Sequence, residues 1–278
     1  MGVFKQLFSL IQDGVGSIRL AADLKSRVRL MTDFCLARLM RVHPIRGIDQ
    51  IRQIQLRGGG TLSYRLNRAD IYTIHEIWIE EMYRLPYDLK PHVLVDLGAN
   101  IGLASLWIAR QYGCEHIIAV EPSLSNAALA CENLAAYSFV ANVVEAAVGC
   151  ENGVVLFDAG PGATNGRIVC RHPSSNTILP SQYTVRVMDM ASILCDLPAS
   201  MQIDLMKIDI EGGEQDLLTS NTGWLRRVSA LIIEFHPNLV DYDRLIAILG
   251  ENCFRRVTML STNSQGNTLE FWTRQSRS

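Results

Sequence analysis

From residue 92 onward, mostly apolar runs alternate with stretches that turn apolar at every third or fourth position. The runs 92–97, 116–121, 203–210 and 230–235, with 142–148 between them, suit strands buried on both faces. Helical periodicity covers 101–112, 124–136 and 239–249. Strand and helix in this rhythm predict an α/β fold, a parallel sheet with helices on both faces. Shorter extended stretches follow at 153–157 and 183–187, and 254–260 with 268–273 would close the sheet as a hairpin. Between 158 and 180 lies a Gly/Asn/Ser/Pro-rich segment, long enough to be either functional or disordered.

The front of the chain has a different pattern. Positions 51–56 and 62–66 alternate around Gly58, Gly59 and Gly60, which predicts a hairpin with one wet face. A helix over 71–83 carries Ile74, Ile77 and Trp78 on one side and His75, Glu76, Glu80 and Glu81 on the other. It ends just before the first buried strand and is placed to cover a ligand, its acids reading as solvated surface. Residues 1 to about 42 read as amphipathic helix, with Val3, Phe4, Leu7, Leu10 and Ile11 in one stripe. Leu20, Leu24, Val28, Met31 and Leu36 continue it among arginines, and His43-Pro44 closes the segment. Packing on the domain or on a second copy of the chain is the ordinary reading. A basic helix lying on an anionic membrane is the sharper one. The division expected is an extension over 1–50 and a domain over 51–278, with hairpin and cover helix at 51–90 and the core at 91–278.

Composition adds little except through its distribution. The net charge is −2, yet residues 1–70 hold twelve Lys/Arg and five Asp, a net of +7, leaving −9 for the rest. A basic front on an acidic body argues against a nucleic-acid channel through the core. Seven cysteines without a C-x-x-C pair fit a reducing compartment. With no membrane-length apolar run and no signal-peptide pattern, the expectation is a soluble cytoplasmic protein, peripheral to a membrane at most.

The chemistry is concentrated in three stretches. Val93-Leu94-Val95-Asp96-Leu97 feeds the turn Gly98-Ala99-Asn100-Ile101-Gly102 and then a helix, a corner that binds nucleotides in α/β sheets. Nineteen residues after Gly102, Glu121 ends the second strand, where a carboxylate accepts from ribose hydroxyls. Asn100 stands where a dinucleotide fold wants its second glycine for close approach to a pyrophosphate. A cofactor without phosphate tolerates that side chain, so S-adenosylmethionine fits better than NAD. A turn shaped only for packing is the plain alternative.

In the second stretch, Lys207 and Asp209 share one strand face and should pair, with Asp209 at the ligand end of the strand. Glu211, Gly212, Gly213 and Glu214 follow, and the glycines would let a helix start close to a ligand. In the third, Glu234 and His236 share a face at the end of the next strand. The imidazole is a natural base for a hydroxyl, with Glu234 placed to orient it. A histidine tying down the turn before Pro237 is the plain reading.

D-L-G-A-N-I-G, A-V-E-P-S with Asn126 and Asn133 downstream, A-A-V-G, K-I-D-I-E-G-G-E and I-I-E-F-H together resemble the FkbM family of S-adenosylmethionine-dependent methyltransferases, over about residues 75 to 240. The resemblance implies the class I methyltransferase Rossmann-like sheet, seven strands with the last antiparallel. It places Asp96, Gly98, Asn100 and Gly102 at the methionine end of the cofactor and Glu121, followed by Pro122, at the ribose. Asp209 and Glu211 would line the reacting centre, with His236 the candidate base. Many members are thought to O-methylate sugars or small natural products, so the acceptor expected is a glycan or another hydroxylated small molecule. Three alternatives stay open: metal assistance through Asp209, Glu211, Glu234 and His236; a nicotinamide oxidoreductase; and a non-catalytic cofactor-binding subunit. The helical front lies outside the resemblance.

Overall fold

The computed structural model describes residues 12–42, 49–158, 167–170, 181–263 and 265–275. Residues 12–20 are helical, and the chain breaks at 21–23 before α1 (Leu24–Val42). β1 (Ile51–Gln55) and β2 (Thr61–Arg65) pair as the expected hairpin. α2 (Arg68–Ile74) runs on into a π-helical turn, His75–Ile79. β3 (Val93–Leu97), α3 (Leu103–Tyr112), β4 (His116–Glu121), α4 (Leu124–Ala135) and β5 (Val140–Glu145) then alternate. After a smaller second sheet come β10 (Ile203–Ile208), α6 (Glu214–Thr219), β11 (Val228–Phe235), α7 (Tyr242–Glu251), β12 (Phe254–Thr262) and β13 (Thr268–Arg274).

The main sheet has seven strands in the order β12-β13-β11-β10-β3-β4-β5. β13, the last strand of the chain, inserts between β11 and β12 and runs antiparallel to both. The order departs from sequence at β3 and β10, which lie side by side in parallel, and a crevice opens beyond their carboxyl ends. Successive strand residues face opposite ways. Leu94, Leu205 and Ile232 join one core with α3 and α4, while Val95, Met206 and Ile233 join the other with α6 and α7. The predicted α/β fold with helices on both faces is what forms.

Three differences from the sequence pattern have local causes. The apolar run 142–148 divides at Ala146, and β6 (Ala147–Val148) leaves the main sheet. It pairs with β9 (Gln182–Met188) in a second sheet, ordered β6-β9-β7-β8, that also contains β7 (Gly153–Asp158) and β8 (Arg167–Cys170). β8 falls inside the segment expected to be a loop, the rest of which is outside the described residues. A short helix α5 (Met190–Ile193) follows β9.

The third difference is the buried face of α1. It buries Leu30, Phe34 and Ala37 and leaves Leu24, Val28 and Met31 of the expected apolar stripe exposed. The break at 21–23 resets the helical phase: Ala21 bridges to Leu56, and Asp23 caps the new helix through the Ser26 amide at 2.7 Å. The stripe Val3 to Ile11 and His43-Pro44 lie outside the described residues. No helix among the described residues is long and apolar enough to cross a membrane.

Candidate functional site

The turn after β3 is built on left-handed backbone. Gly98 has φ 81°, Asn100 φ 50° and Gly102 φ 78°. A Cβ on Gly98 would stand 1.8 Å from the carbonyl oxygen of Asp209, so only glycine lets the two loops touch. Gly102 faces away from the crevice: its Cβ would meet Ala130 Cα at 3.1 Å, and its bareness serves the contact of α3 with α4.

Glu121, at the end of β4, braces this turn from behind. It accepts from the Asn100 amide at 2.9 Å, the Ser123 amide at 2.9 Å and Asn126 Nδ2 at 3.3 Å. Burial pushes its carboxyl up to about 6, against the pull of those donors. Half-buried Pro122 follows. Asn126 also accepts from Arg65 at 2.7 Å, and Arg65 is clamped by buried Asp70 at 2.9 Å, so the network reaches the hairpin. Asn133 ties Ser63 and Ile101 together, accepting from the Ser63 amide and donating to the carbonyls of both.

Asp96 is a correction. It was expected at the ligand but is fully buried, accepting from Ser105 Oγ at 2.6 Å and paired with Lys207 Nζ at 3.0 Å. Lys207 donates to the Gly98 carbonyl at 3.0 Å, with Asp209, its expected partner, farther off at 3.6 Å. The parallel register sets Lys207 beside Asp96, so the ion pair spans two strands and pins the turn from below. Asp96 supports the site without lining it.

A cavity of about 330 Å³ opens over this turn. Gly98, Asn100, Asp209, Glu211 and Glu234 line it, whereas Gly102, Glu121 and Pro122 do not. Tyr72, Thr73 and Glu76 of the preceding helix, with Tyr83, line its other side, so Glu76, expected in open solvent, borders the cavity. The turn between β12 and β13 adds Asn263, Gln265 and Asn267. No strand or helix pattern marks these amides, because their position depends on where β13 inserts.

At one end Asp209 and Glu211 gather with His236, which is buried and does not line the cavity, one donor atom from each lying within 4.8 Å of the others. His236 Nε2 lies 3.3 Å from Glu211, and Nδ1 lies 3.1 Å from Glu214. Burial opposes charge on the ring, but the bonds to Glu211 and Glu214 prevail and push its pKa up to about 11. Glu214, fully buried, is a residue the sequence reading did not place at the site. It also accepts from the Ile210 amide at 3.2 Å, which fixes the loop before α6. Glu234 is the second correction. It takes no part in holding the ring, and Asn267 donates to it at 3.4 Å. Burial and the nearby Asp209 charge push its carboxyl up to about 8. His236 lies beyond the end of β11, where the chain has turned, so the two-residue strand repeat no longer aligns it with Glu234.

The family model described as the methyltransferase FkbM domain matches residues 96–256. The chain belongs to that family. Its methyltransferase domain thus takes in the Gly98 turn, Glu121, and the group formed by Asp209, Glu211 and His236. No protein of curated function matches the chain in sequence. Among solved structures it is similar to the ribosomal protein L11 methylase of Lactobacillus delbrueckii subsp. bulgaricus, at 14% identity, TM-score 0.40, covering 73% of this chain and 80% of that one. It is also similar to M. jannaschii TYW2, described in complex with AdoMet, at 11% identity, TM-score 0.39, covering 83% and 90%.

Proposed function

We propose that this FkbM-family methyltransferase moves a methyl group from S-adenosylmethionine to a hydroxyl of a glycan or another polyhydroxylated small molecule. The observation that carries the reading is the cavity rim. Glu76, Glu234, Asn263, Gln265 and Asn267 offer carboxylate and amide groups suited to hydroxyls. Among the described residues the only cation lining it is Lys207, which Asp96 and the Gly98 carbonyl already hold. A phosphate-rich acceptor such as RNA would meet no free positive charge there.

The cofactor end has matching features. Asn100 Oδ1 is buried without a partner beside the cavity, an acceptor awaiting a donor. The bare Cα of Gly98 brings the Asp209 loop against the same turn. Glu121, behind Asn100 and outside the cavity lining, holds one donor on Oε2, the Asn100 amide, and would accept there from the ribose as a second donor, while Asp209 would face the ammonium group. When bound, S-adenosylmethionine supplies an electrophilic methyl on a sulfonium. The chain's own residues do the positioning, and the acceptor's proton is lost late, to the carboxylates of Asp209 and Glu211. His236, held between Glu211 and Glu214, sets the direction of Glu211.

The test is transfer of radiolabelled methyl to a panel of sugars and polyols, with RNA alongside. Label in the hydroxyl compounds is the expected result. Label in RNA alone would overturn the acceptor class. Calorimetry with S-adenosylhomocysteine and NAD settles the cofactor separately, since only the first should bind.

A further inference from the structure

We infer that Asp209, Glu211 and His236 form a site for one divalent cation of the Mg²⁺/Mn²⁺ class. Two carboxylate oxygens and one imidazole nitrogen make a donor set for such an ion, and two donors about 2.2 Å from one ion stand at most about 4.4 Å apart. The three donor atoms already lie within 4.8 Å of one another, so they need only draw in by about 1 Å at most to share an ion.

The second observation lies behind the ring. Metal-bound histidines almost always give their other ring nitrogen to a carboxylate, a backbone carbonyl or water, which fixes the tautomer. His236 does this: Nδ1 meets fully buried Glu214 at 3.1 Å, and Nε2 is turned toward Glu211 at 3.3 Å. Glu214 is itself anchored by the Ile210 amide, so the ring cannot swing away without breaking a buried bond.

Charge points the same way. Asp209, Glu211 and Glu214 surround one imidazole, and the nearest lysine, Lys207, is closer to Asp96 at 3.0 Å than to Asp209 at 3.6 Å. A divalent ion would offset carboxylates that the fold otherwise crowds together. Asp209 and Glu211 are about a quarter exposed and line the cavity, so the ion's remaining positions would face the acceptor. Its place in catalysis rests on the methyl-transfer reading above: bound through one oxygen of each carboxylate, the ion would orient the hydroxyl and ease loss of its proton to the other carboxylate oxygen of Asp209 or Glu211, as the O–CH₃ bond forms and the S–CH₃ bond breaks.

The experiment titrates Mn²⁺ alone into the full chain, followed by electron paramagnetic resonance and calorimetry, with circular dichroism to check folding. One saturable Mn²⁺ per chain is expected. Glu211→Gln and His236→Gln should each weaken it at least tenfold, and Glu214→Gln by about 10–100-fold, the range for an outer carboxylate. Glu234→Gln, outside the group of three, should change it less than threefold. No saturable binding by the unsubstituted chain would overturn the site, and so would equal affinity in folded His236→Gln. Neither result touches the S-adenosylhomocysteine titration, so the two readings fail separately.

Discussion

Gly98 and Asp209, from turns more than a hundred residues apart, approach so closely that a methyl group on Gly98 would overlap the Asp209 carbonyl oxygen at 1.8 Å. The contact joins the turn after β3 to the loop after β10, and the cavity sits over that seam. Gly98→Ala must therefore push the loops apart as well as strain a residue at φ 81°. We expect a loss of about 2–4 kcal/mol in urea unfolding, left-handed strain plus overpacking, with S-adenosylhomocysteine binding abolished. Gly153→Ala is the comparison, since a Cβ there meets nothing within 4 Å. Equal effects of the two substitutions would show that the seam does not constrain the site.

The Asp96–Lys207 pair lies beneath the same seam. Both side chains are 2% exposed or less, so removing one charge leaves the other stranded. Lys207→Met should cost about 3–5 kcal/mol. Adding Asp96→Asn should restore part of that, giving a coupling of about 1–3 kcal/mol in a double-mutant cycle. Additive losses would mean the two charges do not depend on each other.

Much of this was legible because some signals are local. The turn from Gly98 to Gly102 and the carboxylate of Glu121 are fixed by spacing along strand, turn and helix, so sequence alone places them. The site lining was less legible, because it depends on which strands lie side by side. Lys207 takes Asp96 as its closer partner because β3 and β10 are neighbours in the sheet, which no local pattern reveals. His236 and Glu214 meet only after α6 begins, and Asn267 reaches Glu234 only because β13 inserts beside β11. The helix before β3 was legible in its periodicity, but the direction of Glu76 on it was not. A π-helical turn shifts the face that a regular helix would present.

Glu121 predicts a pH dependence. Its folded pKa, about 6, is above the usual carboxylate value, so protonation favours the folded chain. That stability is fully present below about pH 4 and is lost as pH rises through about 6, amounting to about 2 kcal/mol. A ligand whose hydroxyls donate to the carboxylate has the opposite preference and needs the ionised form. Affinity for S-adenosylhomocysteine should therefore fall roughly tenfold from pH 7 to pH 5. Calorimetry across that range, with Glu121→Gln alongside, checks it: the variant should bind more weakly at pH 7 and lose this titration. Parallel profiles would remove Glu121 from the binding site.

The two faces of α1 give the last prediction. Phe34 is 3% exposed and shares a core with Ile54 and Ile74, while Leu24, Val28 and Met31 on the other face are 73%, 51% and 47% exposed. In an isolated chain, Phe34→Ala should cost about 3–5 kcal/mol, and Met31→Ala should stay within about 0.5 kcal/mol. Chemical unfolding at low protein concentration measures both. The open face is the part that a second copy or an anionic lipid surface would cover, and each leaves its own trace. Self-association raises Tm with protein concentration, because the partner binds only the folded chain. Val28→Glu should abolish that rise. Lipid attachment instead shows as sedimentation with anionic but not neutral vesicles. Tm independent of concentration, with no sedimentation, would leave α1 as a packing element whose outer face stays in water.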